Sequence, residues 1–201
     1  MKENQSTESP KIILAVTGAS GAGYARLLAD KLLELSPAGS TLDMVFSETG
    51  QAIWRQETDN APILPGVRVW DNHNFSAPFA SGSSRYQTLI ICPCSMGTVG
   101  RIASGTAESL ITRAADVMLK ERRRVILVPR ETPFNLIHLR NLEQLTLAGA
   151  IVVPASPSFY NHPATLTEAL MTVVDRVLDL SGFPRPYPRW GTNTDTKQTP
   201  L

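Results

Sequence analysis

Apolar and polar positions fall in blocks along this chain. Short continuous apolar runs predict strands buried on both faces, and between them apolar residues recur at helical spacing. Runs of this kind at residues 12–16, 88–93, 125–129 and 151–154, with the less uniform stretches 42–47 and 67–70, predict six strands. Helices are expected where Tyr24, Leu27, Leu28 and Leu32 share a face, through Ala52, Ile53 and Trp54, and over residues 99–104, 108–120, 135–148 and 166–180. Strand followed by helix throughout predicts a doubly wound parallel sheet. Such sheets take ligands beyond the carboxyl ends of their strands, so the residues just after each run carry the most information.

After the first run come Thr17, Gly18, Ala19, Ser20 and Gly21, small enough for a phosphate or ring to approach the backbone where a helix begins. Free N–H groups and the positive end of the helix dipole favour an anion there. The spacing of Gly18, Gly21 and Gly23 departs from G-x-G-x-x-G, and no Lys-Ser/Thr pair follows, which disfavours a dinucleotide site and excludes a P-loop. A second small-residue turn, Cys94 to Thr98, follows the fourth run, so both turns should converge on one crevice. Ser47 ends the second run, where it serves either a ligand or a helix N-terminus.

Arg130 and Glu131 follow the fifth run and should emerge at the same edge, an arginine suited to phosphate beside a carboxylate suited to proton relay. Arg113 and Lys120 lie seven apart on one predicted helix face, a pair of cations that would suit a dianion or simply be solvated. Tyr160 and Arg176 are unspecific alone. Residues 71–86 form a long Gly/Ser/Pro-containing segment whose aromatic and alanine content favours packing.

With 201 residues and 42% hydrophobic content the chain holds one sizeable core. We expect a disordered segment over residues 1–10, one domain over 11–182, and an extended tail over 183–201 anchored by Trp190. A net charge of +1 gives no general case for nucleic acid or an anionic membrane. From the polar first ten residues and the lack of any membrane-length apolar run we expect a cytoplasmic protein. Cys92 and Cys94, one proline apart, read as reduced packing thiols, and His73, His138 and His162 lack metal-ligand spacing, so no metal is expected.

Together, T-G-A-S-G-A-G, the Ser47 strand end, E-T-D at Glu57, A-S-G-S at Ala80, C-P-C-S-M-G-T at Cys92, R-A-A-D-V at Arg113, L-K-E-R-R at Leu119, V-P-R-E-T-P at Val128 and F-Y-x-x-P at Phe159 resemble the UbiX-type flavin prenyltransferases. The ordered set spans nearly the whole chain. The resemblance implies a flavodoxin-like Rossmann fold with helices on both faces. It also implies an enzyme that joins a dimethylallyl group from dimethylallyl monophosphate to reduced FMN, without a metal, for a partner decarboxylase. By position it implies FMN contacts at Gly18, Ala19, Ser20, Ser47, Ser95, Met96, Gly97, Thr98 and Arg130. The prenyl donor falls to Ser81, Arg113, Lys120, Glu131, Tyr160 and Arg176. Catalytic roles fall to Ser20, Glu57, Lys120, Glu131 and Trp190.

Two positions depart from the family pattern: Phe75, where relatives often carry Trp, and Gly23, where they often carry a larger residue. Relatives form closed homo-oligomers, a dodecamer among the candidate sizes, with sites at subunit interfaces. The loop around Phe75 to Phe79 and the aromatic tail would suit such contacts. Two other readings share the crevice, an FMN-dependent cysteine-type decarboxylase and a flavin carrier without chemistry. The first typically shows P-A-S-A-N-T where this chain reads P-C-S-M-G-T, and the second leaves Lys120, Glu131, Tyr160 and Arg176 superfluous.

Overall fold

In a computed structural model, residues 9–183 are described. The expectations for residues 1–8 and for the tail from 184, including Trp190, lie outside them.

Six parallel strands form one sheet: β1 (Lys11–Val16), β2 (Thr41–Phe46), β3 (Val67–Trp70), β4 (Thr88–Cys94), β5 (Arg124–Pro129) and β6 (Ile151–Val152), in the order β3-β2-β1-β4-β5-β6. Without the short edge strand β3 the remaining five follow the flavodoxin-like order. β1 is the switch point, because it pairs with β2 on one side and β4 on the other. The helices are α1 (Ala22–Leu35), α2 (Glu48–Glu57), α3 (Met96–Ala103), α4 (Leu110–Lys120), α5 (Leu136–Leu147) and α6 (Leu166–Leu180). The last matches its sequence-predicted bounds. β6 is two residues shorter than expected.

The pleat of β1 sorts the core. Ile13 and Ala15 face α3, α4 and α5, whereas Ile12, Leu14 and Val16 face α1 and α6. The helices that follow β1 and β4 therefore leave the sheet on opposite faces, which opens the crevice between their starts. Leu110, Ile111, Ala114, Val117 and Met118 of α4 are buried as the helical spacing requires. Gly23 lets α6 approach, since a Cβ there would lie 3.2 Å from Leu170 Cδ1, and this accounts for the small residue.

Residues 71–86 pack, as their composition suggests. Phe79 is fully buried between Trp70 and Tyr86, with ring centroids 6.0 and 5.3 Å away. Phe79 therefore belongs to this chain's own core and is no contact surface, which corrects the expectation for this loop, although Phe75 remains exposed.

Sequence reading also passed over Asp43 in the apolar run of β2. Its carboxylate is buried and accepts hydrogen bonds from the Arg68 guanidinium, Trp70 Nε1 and the Tyr86 hydroxyl. A buried charge persists only when paired in this way, and the pairing ties the edge strand to the sheet. Cys92 and Cys94 are buried and free, and burial pushes both thiols up, Cys92 further raised by Cys94, as packing residues should be. Among the described residues no helix is long and apolar enough to cross a membrane, and no group of three or more metal-capable side chains converges.

Candidate active site

The two small-residue turns meet at the carboxyl edge of the sheet. Thr17 donates through Oγ1 to the Pro93 carbonyl at 2.9 Å, and the same oxygen accepts Ser95 N–H at 2.8 Å. Gly18 is required by proximity, since a Cβ there would lie 2.2 Å from Thr49 Oγ1 on α2. Gly21 is required by backbone, with φ of 122° at the start of α1.

Gly21 brings no side chain to cap α1. Glu57, the last residue of α2, supplies the acceptor, its Oε2 taking the N–H groups of Gly21 at 2.7 Å and Ala22 at 2.8 Å. The anion site read from the first turn is thus filled by the chain's own carboxylate. Arg130 reaches the same place, donating from Nε to the Ser20 carbonyl at 3.0 Å. Burial pushes the Glu57 carboxyl up, but hydrogen bonds from Ser20, Gly21 and Ala22 and the field of Arg130 outweigh it and hold it below the usual range. Three segments far apart in sequence therefore bring Ser20, Glu57 and Arg130 together. The missing cap of α1 is the sequence signal that could have found Glu57 from physics alone, because a helix start without Ser, Thr, Asp or Asn needs an outside acceptor.

A depressed carboxyl adds stability that is fully present above its ordinary value near 4.5 and is lost as pH falls through the lower folded value. Glu57→Gln is accordingly expected to be less stable than the parent in urea at pH 7, the gap shrinking as pH falls below the ordinary carboxyl range and through the lowered folded value. An undiminished gap at the acidic end would contradict this role.

The start of α3 differs. Ser95 caps it, its Oγ accepting Thr98 N–H at 3.3 Å and lying 3.0 Å from Thr98 Oγ1. Among the described residues the amides of Met96 and Gly97 have no acceptor. Two unengaged N–H groups at a helix start, flanked by Ser95 and Thr98 hydroxyls, can hold a phosphate. Ser47 serves as the N-cap of α2, its Oγ accepting Gly50 N–H at 3.0 Å, the structural half of its two readings. Glu131 is exposed beside Arg130, and one oxygen accepts Thr132 N–H at 3.0 Å. Among the described residues its other oxygen has no hydrogen-bond partner.

The remaining donor residues lie elsewhere in the chain. Arg113 Nε donates to the Ala80 carbonyl at 3.0 Å and pairs with Asp116, while Lys120 pairs with Glu121 beside Gly82. Arg123 donates to the Gly82 carbonyl at 2.7 Å, so the loop carrying Ser81 is clamped along α4. The basic run is therefore largely a set of staples, Arg124 holding the Ser181 carbonyl at 2.8 Å. α4 starts beside Asn72, just beyond β3, and ends just before β5. Lys120 thus lies at the amino edge of the sheet, and the six residues of β5 separate it from Arg130 by about 20 Å.

Arg176 sits on α6, across the sheet from α4, and pairs with Asp179 at 2.9 Å. Tyr160 lies beyond β6, largely exposed. Lys120 and Arg176 therefore lie on opposite faces of the sheet, each paired with a neighbouring carboxylate.

Comparison with known proteins completes the description. The Flavoprotein family model matches residues 1–181. Curated flavin prenyltransferases UbiX from Methanocaldococcus jannaschii and Pseudomonas aeruginosa are 40% and 41% identical, each match covering 90% of this chain and 99% and 94% of the relative. A crystal structure of AnUbiX (PadA1) in complex with FMN and dimethylallyl pyrophosphate aligns with a TM-score of 0.84 at 38% identity, covering 90% of this chain and 97% of that one. A dodecameric FMN-dependent UbiX-like decarboxylase from Escherichia coli O157:H7 aligns at 0.82 and 38% identity, covering 89% and 98%.

Proposed function

This chain belongs to the UbiX-type flavin prenyltransferase family, and we propose that it transfers the dimethylallyl group of dimethylallyl monophosphate to reduced FMN, yielding the prenylated flavin that a partner decarboxylase uses. The reduced flavin supplies the nucleophile, and the allylic C–O bond breaks with its electron pair leaving on phosphate. The observation that carries the reading is the contrast between two adjacent helix starts: α1 is closed by Glu57, and α3 presents the Met96 and Gly97 amides beside Ser95 and Thr98. A flavin phosphate belongs at α3, because a second anion at α1 would meet the Glu57 carboxylate. Arg130 stands between the two and offsets both charges.

Gly18, Ala19 and Ser20 then line the flavin side of the crevice, with Ser47 at its margin. In this reading Glu131 accepts the proton released when the new ring closes. Lys120, Tyr160 and Arg176, with Arg113 and Ser81 in support, suit the departing phosphate, where cations and a phenol stabilise developing negative charge. The placement of Lys120 and Arg176 on opposite faces of the sheet supports a homo-oligomer in which each site takes donor residues from neighbouring copies, in the cytoplasm expected from the sequence.

Arg176→Ala tests the division between flavin and donor. Losing one charge-assisted contact, worth about 1.5 to 3 kcal/mol, should raise the donor requirement about ten- to a hundredfold with flavin affinity nearly unchanged. Equal losses for flavin and donor, measured by steady-state prenylation and flavin titration, would argue against separate sites.

A further inference from the structure

α5 shows the reverse of an ordinary surface helix. Of its twelve residues only Leu145 is buried, while Leu136, Ile137, Leu139 and Leu147 are 61%, 67%, 50% and 83% exposed, and Phe134 just before them is 39% exposed. A surface helix normally turns such residues inward. Leucines this exposed, gathered on one helix, mark a contact surface.

The outward face has an order that identifies the occupant. Leu136, Arg140, Glu143 and Leu147 fall at i, i+4, i+7 and i+11 and form one line along the helix, with Leu139 and Ile137 to either side. Among the described residues neither Arg140 nor Glu143 has a hydrogen-bond or ion-pair partner. The line is symmetric about the point between Asn141 and Leu142. Leu136 and Leu147 are equally far from that point, and so are Arg140 and Glu143.

We propose that this face of α5 packs against the same face of a second copy of the chain, antiparallel across a two-fold axis between Asn141 and Leu142. Leu136 then meets Leu147 of the other copy at both ends, and Arg140 meets Glu143 twice near the centre. An isologous contact requires a surface complementary to itself, and this one is complementary in both shape class and charge. A parallel arrangement would set Arg140 against Arg140 and Glu143 against Glu143, and like charges in register disfavour it. The pairing uses no residue of the flavin crevice and does not rest on the proposed chemistry.

Sedimentation and native mass spectrometry of Arg140→Glu, Glu143→Arg and the double exchange test it. Each single variant places like charges opposite one another and should weaken association about tenfold or more, releasing smaller species, while the double exchange restores the parental mass. Circular dichroism establishes that each variant is folded. A second measurement joins Leu136→Cys with Leu147→Cys in one chain, where oxidation should give a covalent dimer, since Cys92 and Cys94 are buried and do not compete. The proposal is overturned if the single variants keep the parental mass or the double exchange fails to restore it. It is equally overturned if the introduced cysteines give no dimer, or if cross-linking shows α5 covered by residues 184–201 or by a foreign protein.

Discussion

Glu131→Gln should bind FMN almost as the parent does and form prenylated flavin about a hundred- to ten-thousandfold more slowly. Glutamine keeps the size of the side chain and can still accept the Thr132 N–H that fixes one Glu131 oxygen at 3.0 Å, so the local backbone should not move. What disappears is the carboxylate as a proton acceptor. The neighbouring Arg130 is turned toward the Ser20 carbonyl and not toward Glu131, so flavin contacts on that side should survive. Single-turnover spectra of the variant beside the parent decide the point, with the slow phase falling at ring closure. An unchanged rate of ring closure would remove Glu131 from the chemistry.

A second large effect should appear on mixing two inactive proteins. Lys120 lies about 20 Å from Arg130 along β5, so a site using both Lys120 and Glu131 must draw them from different copies. Lys120→Ala and Glu131→Gln should each be nearly inactive alone. Dissociated, mixed and reassembled, they should regain activity, because some sites then combine an intact Lys120 from one copy with an intact Glu131 from another. Recovery of a sizeable fraction of parental activity, about a quarter for random assembly of two-copy sites, is expected. Activity no higher than that of the separate variants would mean that each chain builds its own site.

Much of this was legible along the chain because it is written in local pattern. Apolar-rich runs bounded by Gly, Pro and Ser marked all six strands, and the small residues after the first and fourth runs located the crevice, since parallel topology leaves both turns at one edge. Distances between sites were less legible. The seven-residue spacing of Arg113 and Lys120 does put them on one helix face, but spacing alone does not say that α4 descends to the far edge, or that the loop at Ala80 and Gly82 already occupies both neighbourhoods. The resemblance named Glu57, but its task of capping α1 was hidden for a related reason, because its partners are backbone amides of Gly21 and Ala22, groups common to every residue and invisible to composition. The face of α5 was hidden as well. Periodicity identifies an apolar helix, but which of its sides the other elements cover is set by tertiary packing, and here only Leu145 is buried.

The most direct test of the proposed chemistry is the mass of the flavin. Incubated without oxygen with reduced FMN and dimethylallyl monophosphate, the full chain should convert FMN to a species heavier by one dimethylallyl-derived unit, with release of one phosphate per flavin converted. Flavin recovered at its original mass, bound but unmodified, would contradict prenyl transfer and leave a flavin-binding protein without this reaction.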